Sequence, residues 1–265
     1  MDKIFISNLD IDITQNCTMS CTECTKLVPA FKGTEQKEIS PETLFNDLSN
    51  LAQAATFQWG QLLGGEPMLH SDVLECIKAV RNSKISEKIL ITTNGTLFEK
   101  FTDEIIDSID MVRMSVYPGK IPLKLIEDFE KRLKSRGKFL DQWHQNNFIP
   151  VFSKDPVKSI DLAHCAERNF SYCEKWMCKC FTYSDNYICS CPTAYAINKF
   201  LKNDHADGIF LGDKCDEKDL KNKLLLEATK EYKACKNCLR SVNIEKTAWS
   251  ECTKKIWYEK HSINQ

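Results

Sequence analysis

The run Cys17-Thr-Met-Ser-Cys21-Thr-Glu-Cys24 places three cysteines at x3 and x2 spacing just past an apolar segment, Lys3 to Thr14, whose partial alternation suits a strand. Three thiolates are one ligand short of a closed site. Thiolates are the soft ligands that iron-sulfur clusters use, and a cubane cluster held by three of them keeps one iron open to something else. Zinc is the competing reading. Structural zinc sites, however, pair their ligands in two separated knuckles, and no His or fourth cysteine follows nearby.

Outward from this loop, strands and helices alternate. Ser40-Pro41-Glu42-Thr43 supplies an N-cap, a proline at the first helical position and an acidic first turn, which predicts a helix through about Ala55. Phe57 to Leu63 is a short apolar run that stops at Gly64-Gly65-Glu66-Pro67, and a second helix opens at Ser71-Asp72 with Val73, Leu74, Ile77 and Val80 at helical spacing. Lys88 to Thr93 reads as a buried strand leading into Asn94-Gly95. Phe98 to Ile109 reads as a helix, Met111 to Tyr117 as a strand, Pro122 to Arg136 as a helix and Gly137 to Trp143 as a fifth strand. Strands joined through helices by short loops predict βαβ units and a parallel sheet. The α/β class expected is a partial (β/α) TIM-like barrel over residues 1–155. Its motifs all sit at carboxyl ends of strands, where such barrels gather their chemistry.

The cysteine run, the Gly64-Gly65-Glu66-Pro67 segment and Thr92-Thr93-Asn94-Gly95 together resemble the radical S-adenosylmethionine (radical SAM) superfamily. The resemblance covers roughly residues 3–150. It departs from the family at Glu23, where an aromatic residue commonly precedes the third cysteine. The resemblance implies that Cys17, Cys21 and Cys24 hold a [4Fe-4S] cluster whose open iron binds S-adenosylmethionine. It also implies that Gly64, Gly65 and Glu66 meet the methionine amino group, and that Thr92, Thr93, Asn94 and Ser115 offer polar groups to the ribose and carboxylate. A plain strand-to-helix turn, or a buried hydroxyl at Ser115, is the bland alternative for these positions.

Beyond the linker Gln145 to Asp161 the pattern changes. Residues 156–265 are expected to form a small cysteine-rich domain, with Cys165, Cys173, Cys178, Cys180, Cys189, Cys191, Cys215, Cys235, Cys238 and Cys252. Cys180 to Cys191 reads as a hairpin turning at Asp185-Asn186, long helical periodicity returns at Asp216 to Tyr232, and Cys235-Lys-Asn-Cys238 is a compact chelating pair. This arrangement resembles the auxiliary-cluster appendage called a Twitch domain, the short form of the SPASM domain. The resemblance implies one auxiliary [4Fe-4S] cluster on Cys180, Cys191, Cys235 and Cys238, with Cys173 or Cys178 as alternatives for the first ligand. A zinc ribbon or a two-cluster tail would use the same residue type. Cys76, Cys189 and Cys252 read as buried thiols.

Across its 265 residues the chain carries a net charge of −1, which gives no basic footprint for nucleic acid. No signal peptide or membrane-length apolar run is present, so a cytoplasmic, soluble protein is expected, in which 14 cysteines mean metal or redox chemistry rather than disulfides. The resemblance implies an oxidoreductase that cleaves S-adenosylmethionine and takes hydrogen from a sugar or cyclitol alcohol, fed by a donor such as flavodoxin or ferredoxin. A maturase of ribosomally made peptides is the alternative; such enzymes often carry a leader-binding domain upstream, and few residues precede Cys17. A non-enzymatic zinc adaptor ranks last. Arg113, Tyr117, His144, Gln145, His164 and Arg168 are polar candidates near a barrel mouth, and no catalytic base is assigned.

Overall fold

The computed structural model describes residues 3–34, 38–156, 180–203, 207–212, 215–241 and 245–263. The chain divides into two compact units that are not continuous in sequence: residues 1–19 with 36–146, and residues 20–35 with 147–265.

The first unit is a partial (β/α) barrel. Its strands β1 (Ile4–Thr14), β2 (Ala55–Gly64), β3 (Ser86–Thr93), β4 (Met111–Val116) and β5 (Phe139–His144) run parallel in the order β5-β4-β3-β2-β1. Register sorts the side chains into two faces. Leu9 aligns with Gly60 and Ile11 with Leu62, and the fully buried Leu9, Ile11, Ile89, Ile91, Val112 and Met114 form one apolar face. The alternate positions Asp10, Gln61, Thr92, Arg113, Ser115, Asp141 and Trp143 share the other face, because successive side chains of a strand point to opposite sides.

The connecting helices close on the apolar face. Helix α2 (Pro41–Ala54) follows α1 (Val28–Phe31) and buries Leu44, Leu48 and Leu51 at helical spacing; Ser40 caps it by accepting from the Thr43 N–H at 3.1 Å. Each such leucine contributes about 1.5–3 kcal/mol on burial. Helix α3 (Val73–Ser83) and α5 (Leu123–Ser135) match the expected periodicity. The helix expected over 98–109 is instead a 3-10 turn at Phe98–Lys100 and a short α4 (Asp103–Ser108). Phe101 breaks it: its fully buried ring packs 5.0 Å from that of Phe129, and Thr102 starts a new helix by accepting from the Ile105 N–H.

In the second unit, Phe148 of β6 (Asn147–Phe148) pairs with Thr247 of β10 (Thr247–Ala248). A hairpin joins β7 (Phe181–Ser184) to β8 (Tyr187–Cys189), with β9 (Ile209–Phe210) beside it. Asp185 and Asn186 both take positive φ, 46° and 69°, as a tight two-residue hairpin turn requires. Among the described residues, helices α6 (Pro192–Phe200), α7 (Glu217–Glu227) and α8 (Lys254–Lys260) also belong to this unit. Helix α7 stops five residues short of the expected Tyr232, whose side chain is buried in the core with Val151, Phe152, Ile197 and Trp257. No helix among the described residues is long and apolar enough to cross a membrane.

Candidate metal and cofactor site

At the carboxyl end of the first unit's sheet, pairing between β1 and β2 continues past both strands. Gly65 N–H donates to the Thr14 carbonyl at 2.8 Å and Glu66 N–H to the Asn16 carbonyl at 2.7 Å. This approach demands glycine. A Cβ on Gly64, which has φ +136°, would lie 2.1 Å from the Thr14 oxygen, and one on Gly65 would lie 2.0 Å from the Asn16 oxygen. The residues leading into Cys17 are thereby locked to the Gly-Gly-Glu segment by backbone alone.

Glu66 carries the linkage onward. Its fully buried carboxylate accepts from Thr93 Oγ1 at 2.8 Å, Asn94 N–H at 2.8 Å and Met68 N–H at 3.2 Å. Burial raises its pKa above the ordinary carboxylate range, and those three donors partly offset the shift. Asn94 then reaches the cysteine loop: its side-chain amide donates to Thr18 Oγ1 at 2.9 Å and approaches Cys17 Sγ at 3.6 Å. Thr96 closes the chain through Thr18 Oγ1 at 2.7 Å and Asn94 Oδ1 at 2.6 Å. Three motifs separated in sequence are thus one hydrogen-bonded set around Cys17. Thr18 and Thr96 were not singled out by sequence, since a lone threonine gives no signal until its partner is known.

Two predicted positions stand apart from this set. The Thr92 hydroxyl is buried and has no partner among the described residues. Ser115 lies one strand further along, opposite Trp143 on β5. Between them Arg113 donates from Nε to Asp141 at 2.8 Å and from Nη1 to Gln61 at 3.1 Å, with its guanidinium 4.1 Å from the Trp143 ring centroid. His144 ends β5 exposed, while His164 and Arg168 lie outside the described residues.

Cys21 and Cys24 belong to the second unit. Cys21 Sγ accepts from the Trp249 indole N–H at 3.2 Å. Burial pushes the Cys24 thiol up, opposed by backbone donors from Val28 and Lys26. Glu23, the departure noted above, is buried against an ion pair with Lys260, and it accepts from Val151 N–H at 3.2 Å. By contrast, Cys76 is a fully buried thiol pushed up to about 12 by burial and by nearby Asp72 and Glu38, which suits core filling.

In the tail, Cys191 precedes α6, and Cys235 and Cys238 bracket the end of the 3-10 turn Lys233–Asn237, which packs on α6. Buried polar groups fix the two segments. Asp207 accepts from Asn198 Nδ2 at 2.7 Å and from the N–H groups of Lys233 and Ala234 at 2.9 and 3.0 Å. Ser190 N–H donates to Tyr232 Oη at 2.7 Å, and Ser190 Oγ to the Glu227 carbonyl at 2.9 Å. Asn237 Nδ2 donates to the carbonyls of Ser153 and Lys154. Cys180 is disulfide-bonded and would have to be reduced before serving as a ligand. The alternative first ligands Cys173 and Cys178 lie outside the described residues.

Residues 12–128 match the family described as a 4Fe-4S single cluster domain. A probable GTP 3′,8-cyclase of Methanococcus aeolicus is 28% identical over 114 residues, 42% of this chain and 37% of that one. The chain therefore spans little more than a third of that curated relative. The solved structure of BtrN in complex with AdoMet and 2-DOIA shares the fold with a TM-score of 0.58 at 15% identity, covering 92% of this chain and 95% of that one. Over residues 12–128 the chain is similar to radical SAM enzymes. A second solved structure, native anSMEcpe with bound AdoMet, matches with a TM-score of 0.55 at 13% identity over 96% and 95% of the two chains. The matched family is that of a 4Fe-4S cluster domain, and both solved structures hold AdoMet. The residues present fit such a cluster and AdoMet: soft thiols in the first loop, and a buried hydroxyl at Thr92 with no partner among the described residues.

Proposed function

We infer that this protein is a radical SAM oxidoreductase acting on a small polar, hydroxylated molecule such as a sugar or cyclitol alcohol. The observation that carries the reading is the fold shared along nearly the whole chain, tail included, with a protein held in complex with AdoMet and 2-DOIA. Cys17, Cys21 and Cys24 hold the first cluster. Gly64 and Gly65 present backbone to the methionine end of S-adenosylmethionine, Thr92 and Ser115 offer hydroxyls from the polar face of the sheet, and Thr93 and Asn94 act through the hydrogen-bonded set around Cys17. Glu66, with all three of its donors inside the chain, serves here as the strut that fixes Asn94 rather than as a free carboxylate.

The bound cofactors supply a one-electron reductive cleavage that yields methionine and a 5′-deoxyadenosyl radical able to abstract hydrogen, the electron coming from a flavodoxin- or ferredoxin-class donor. The substrate lies over the polar face of the sheet. There Arg113, already oriented by Asp141 and stacked on Trp143, offers charge-assisted hydrogen bonds to hydroxyl oxygens. The tail holds an auxiliary [4Fe-4S] cluster on Cys191, Cys235, Cys238 and one of Cys180, Cys173 or Cys178, which supplies an acceptor for the substrate's second electron.

A second reading, cyclisation of a nucleotide, is favoured by the GTP 3′,8-cyclase relatives, whose alignment covers 42% of the chain. The test is anaerobic reconstitution followed by incubation with S-adenosylmethionine, reductant and three substrate panels: polyols and aminocyclitols, peptides, and GTP. Substrate-dependent 5′-deoxyadenosine with a product lacking two hydrogens supports the oxidoreductase on the first panel. Turnover confined to GTP, or to peptides, overturns it.

A further inference from the structure

Residues 249–260 are wound around residues 20–24 by contacts that the chemistry of the cysteine loop alone does not require. Thr22 N–H donates to the Ser250 carbonyl at 2.9 Å and Cys252 N–H to the Ser20 carbonyl at 3.0 Å, forming a short antiparallel bridge between Cys21 and Glu251. Ser20 N–H donates to Glu251 Oε1 at 2.9 Å, and Thr22 Oγ1 contacts Ser250 Oγ at 2.9 Å. One turn into α8, the buried Trp257 donates from Nε1 to the Thr22 carbonyl at 3.2 Å, and Lys260 pairs with the buried Glu23. The clasp is aimed at one sulfur, since Trp249 directs its indole N–H at Cys21 Sγ from 3.2 Å.

We propose that Trp249 is a positioning residue for the S-adenosylmethionine-binding cluster, whose N–H···S bond to Cys21 sets that cluster's reduction potential and holds the sulfur in place. The physical ground is electrostatic. A cluster gains negative charge on reduction, and hydrogen bonds to ligating sulfurs are among the levers that fix cluster potentials. A donor on Cys21 stabilises the reduced form more than the oxidised one, so the potential rises and a low-potential donor delivers its electron more readily. Trp249 and Cys21 are 228 residues apart in sequence, so the C-terminal segment must be folded before this bond exists. The inference rests on the reading of Cys21 as a cluster ligand.

The experiment compares wild type, Trp249→Phe, and protein carrying benzothienylalanine at position 249, an isostere with sulfur in place of N–H. Each is reconstituted anaerobically and titrated with dithionite against viologen mediators, monitored by electron paramagnetic resonance with S-adenosylmethionine present. Protein labelled with ¹⁵N-indole is then examined for hyperfine coupling to the reduced cluster. The expected result is full iron loading in all three, a more negative potential in both substituted proteins, and a ¹⁵N coupling lost in Trp249→Phe. The isostere keeps the shape, so a shift in it reads the bond and not packing. Equal potentials with the cluster intact would overturn the proposal and leave the cluster assignment standing. Iron content and spectra unchanged in Cys21→Ala would overturn the ligand reading, and the proposal with it.

Discussion

The surroundings of Cys17 and the tail around Cys191, Cys235 and Cys238 hold their cysteines by different means. Near Cys17 the backbone dominates: strand register continues into the loop, glycines permit the contact, and Glu66 and Asn94 tie neighbouring strand ends together. In the tail, regular structure is short, and buried side chains such as Asp207, Ser190, Tyr232 and Asn237 bind one cysteine segment to the next. A site set by backbone register is lost when a backbone contact is blocked. A site set by side-chain anchors is lost when an anchor is removed.

Blocking the backbone contact should give the largest effect. Gly65→Ala puts a methyl carbon where only 2.0 Å separates it from the Asn16 oxygen, so the strand ends must part. Loss of S-adenosylmethionine binding, read by equilibrium dialysis, is expected, with destabilisation of about 1–3 kcal/mol in a denaturant titration. Binding at wild-type strength would mean that the loop is set by something other than this register.

Asp207→Ala removes an anchor and leaves the Lys233 and Ala234 N–H groups without their acceptor. It should cost roughly 1–3 kcal/mol and lower the iron held by the tail while sparing S-adenosylmethionine cleavage. A loss of cleavage as large as that from Gly65→Ala would erase the contrast between the two regions.

Glu66→Gln sharpens the comparison with the smallest expected change. Burial raises the Glu66 pKa in the folded protein, so the fold binds this proton more tightly than the unfolded chain does. Its stabilising contribution is fully present below the unfolded carboxylate value and is lost as pH rises through the raised folded value. Glutamine has no charge to bury and one acceptor oxygen, so it keeps the bonds from Thr93 and Met68 or the bond from Asn94 N–H but not both, a cost that does not vary with pH. The Tm of Glu66→Gln relative to wild type should therefore rise as pH is raised from the ordinary carboxylate range through that window. A constant difference across the series would remove the assigned burial effect.

Much of the first region was legible in the sequence because its determinants are local. Strand periodicity, the Ser40-Pro41 cap, the cysteine spacing and the two glycine-bearing strand ends each lie within a few residues of the feature they specify. The hairpin turn at Asp185-Asn186 was legible for the same reason. The misread helices failed through tertiary contact: Phe101 is buried against Phe129, and Tyr232 leaves the helical path to meet Ser190. Nothing near Glu23 in sequence announces Lys260, and nothing near Cys21 announces Trp249. Such long-range partners carry no periodicity and become visible only in the fold.

The proposed chemistry requires two separate sets of cysteines to hold two clusters. It is tested most directly by iron and sulfide counts on anaerobically reconstituted wild type, the Cys17→Ala/Cys21→Ala/Cys24→Ala variant and the Cys235→Ala/Cys238→Ala variant, with 5′-deoxyadenosine measured on each. The prediction is about eight irons per chain for wild type and about four for each variant, the sum and halves expected of two four-iron clusters. Cleavage should be abolished by the first substitution set alone. Unchanged iron after Cys235→Ala/Cys238→Ala, or cleavage surviving loss of the first three cysteines, would contradict that requirement.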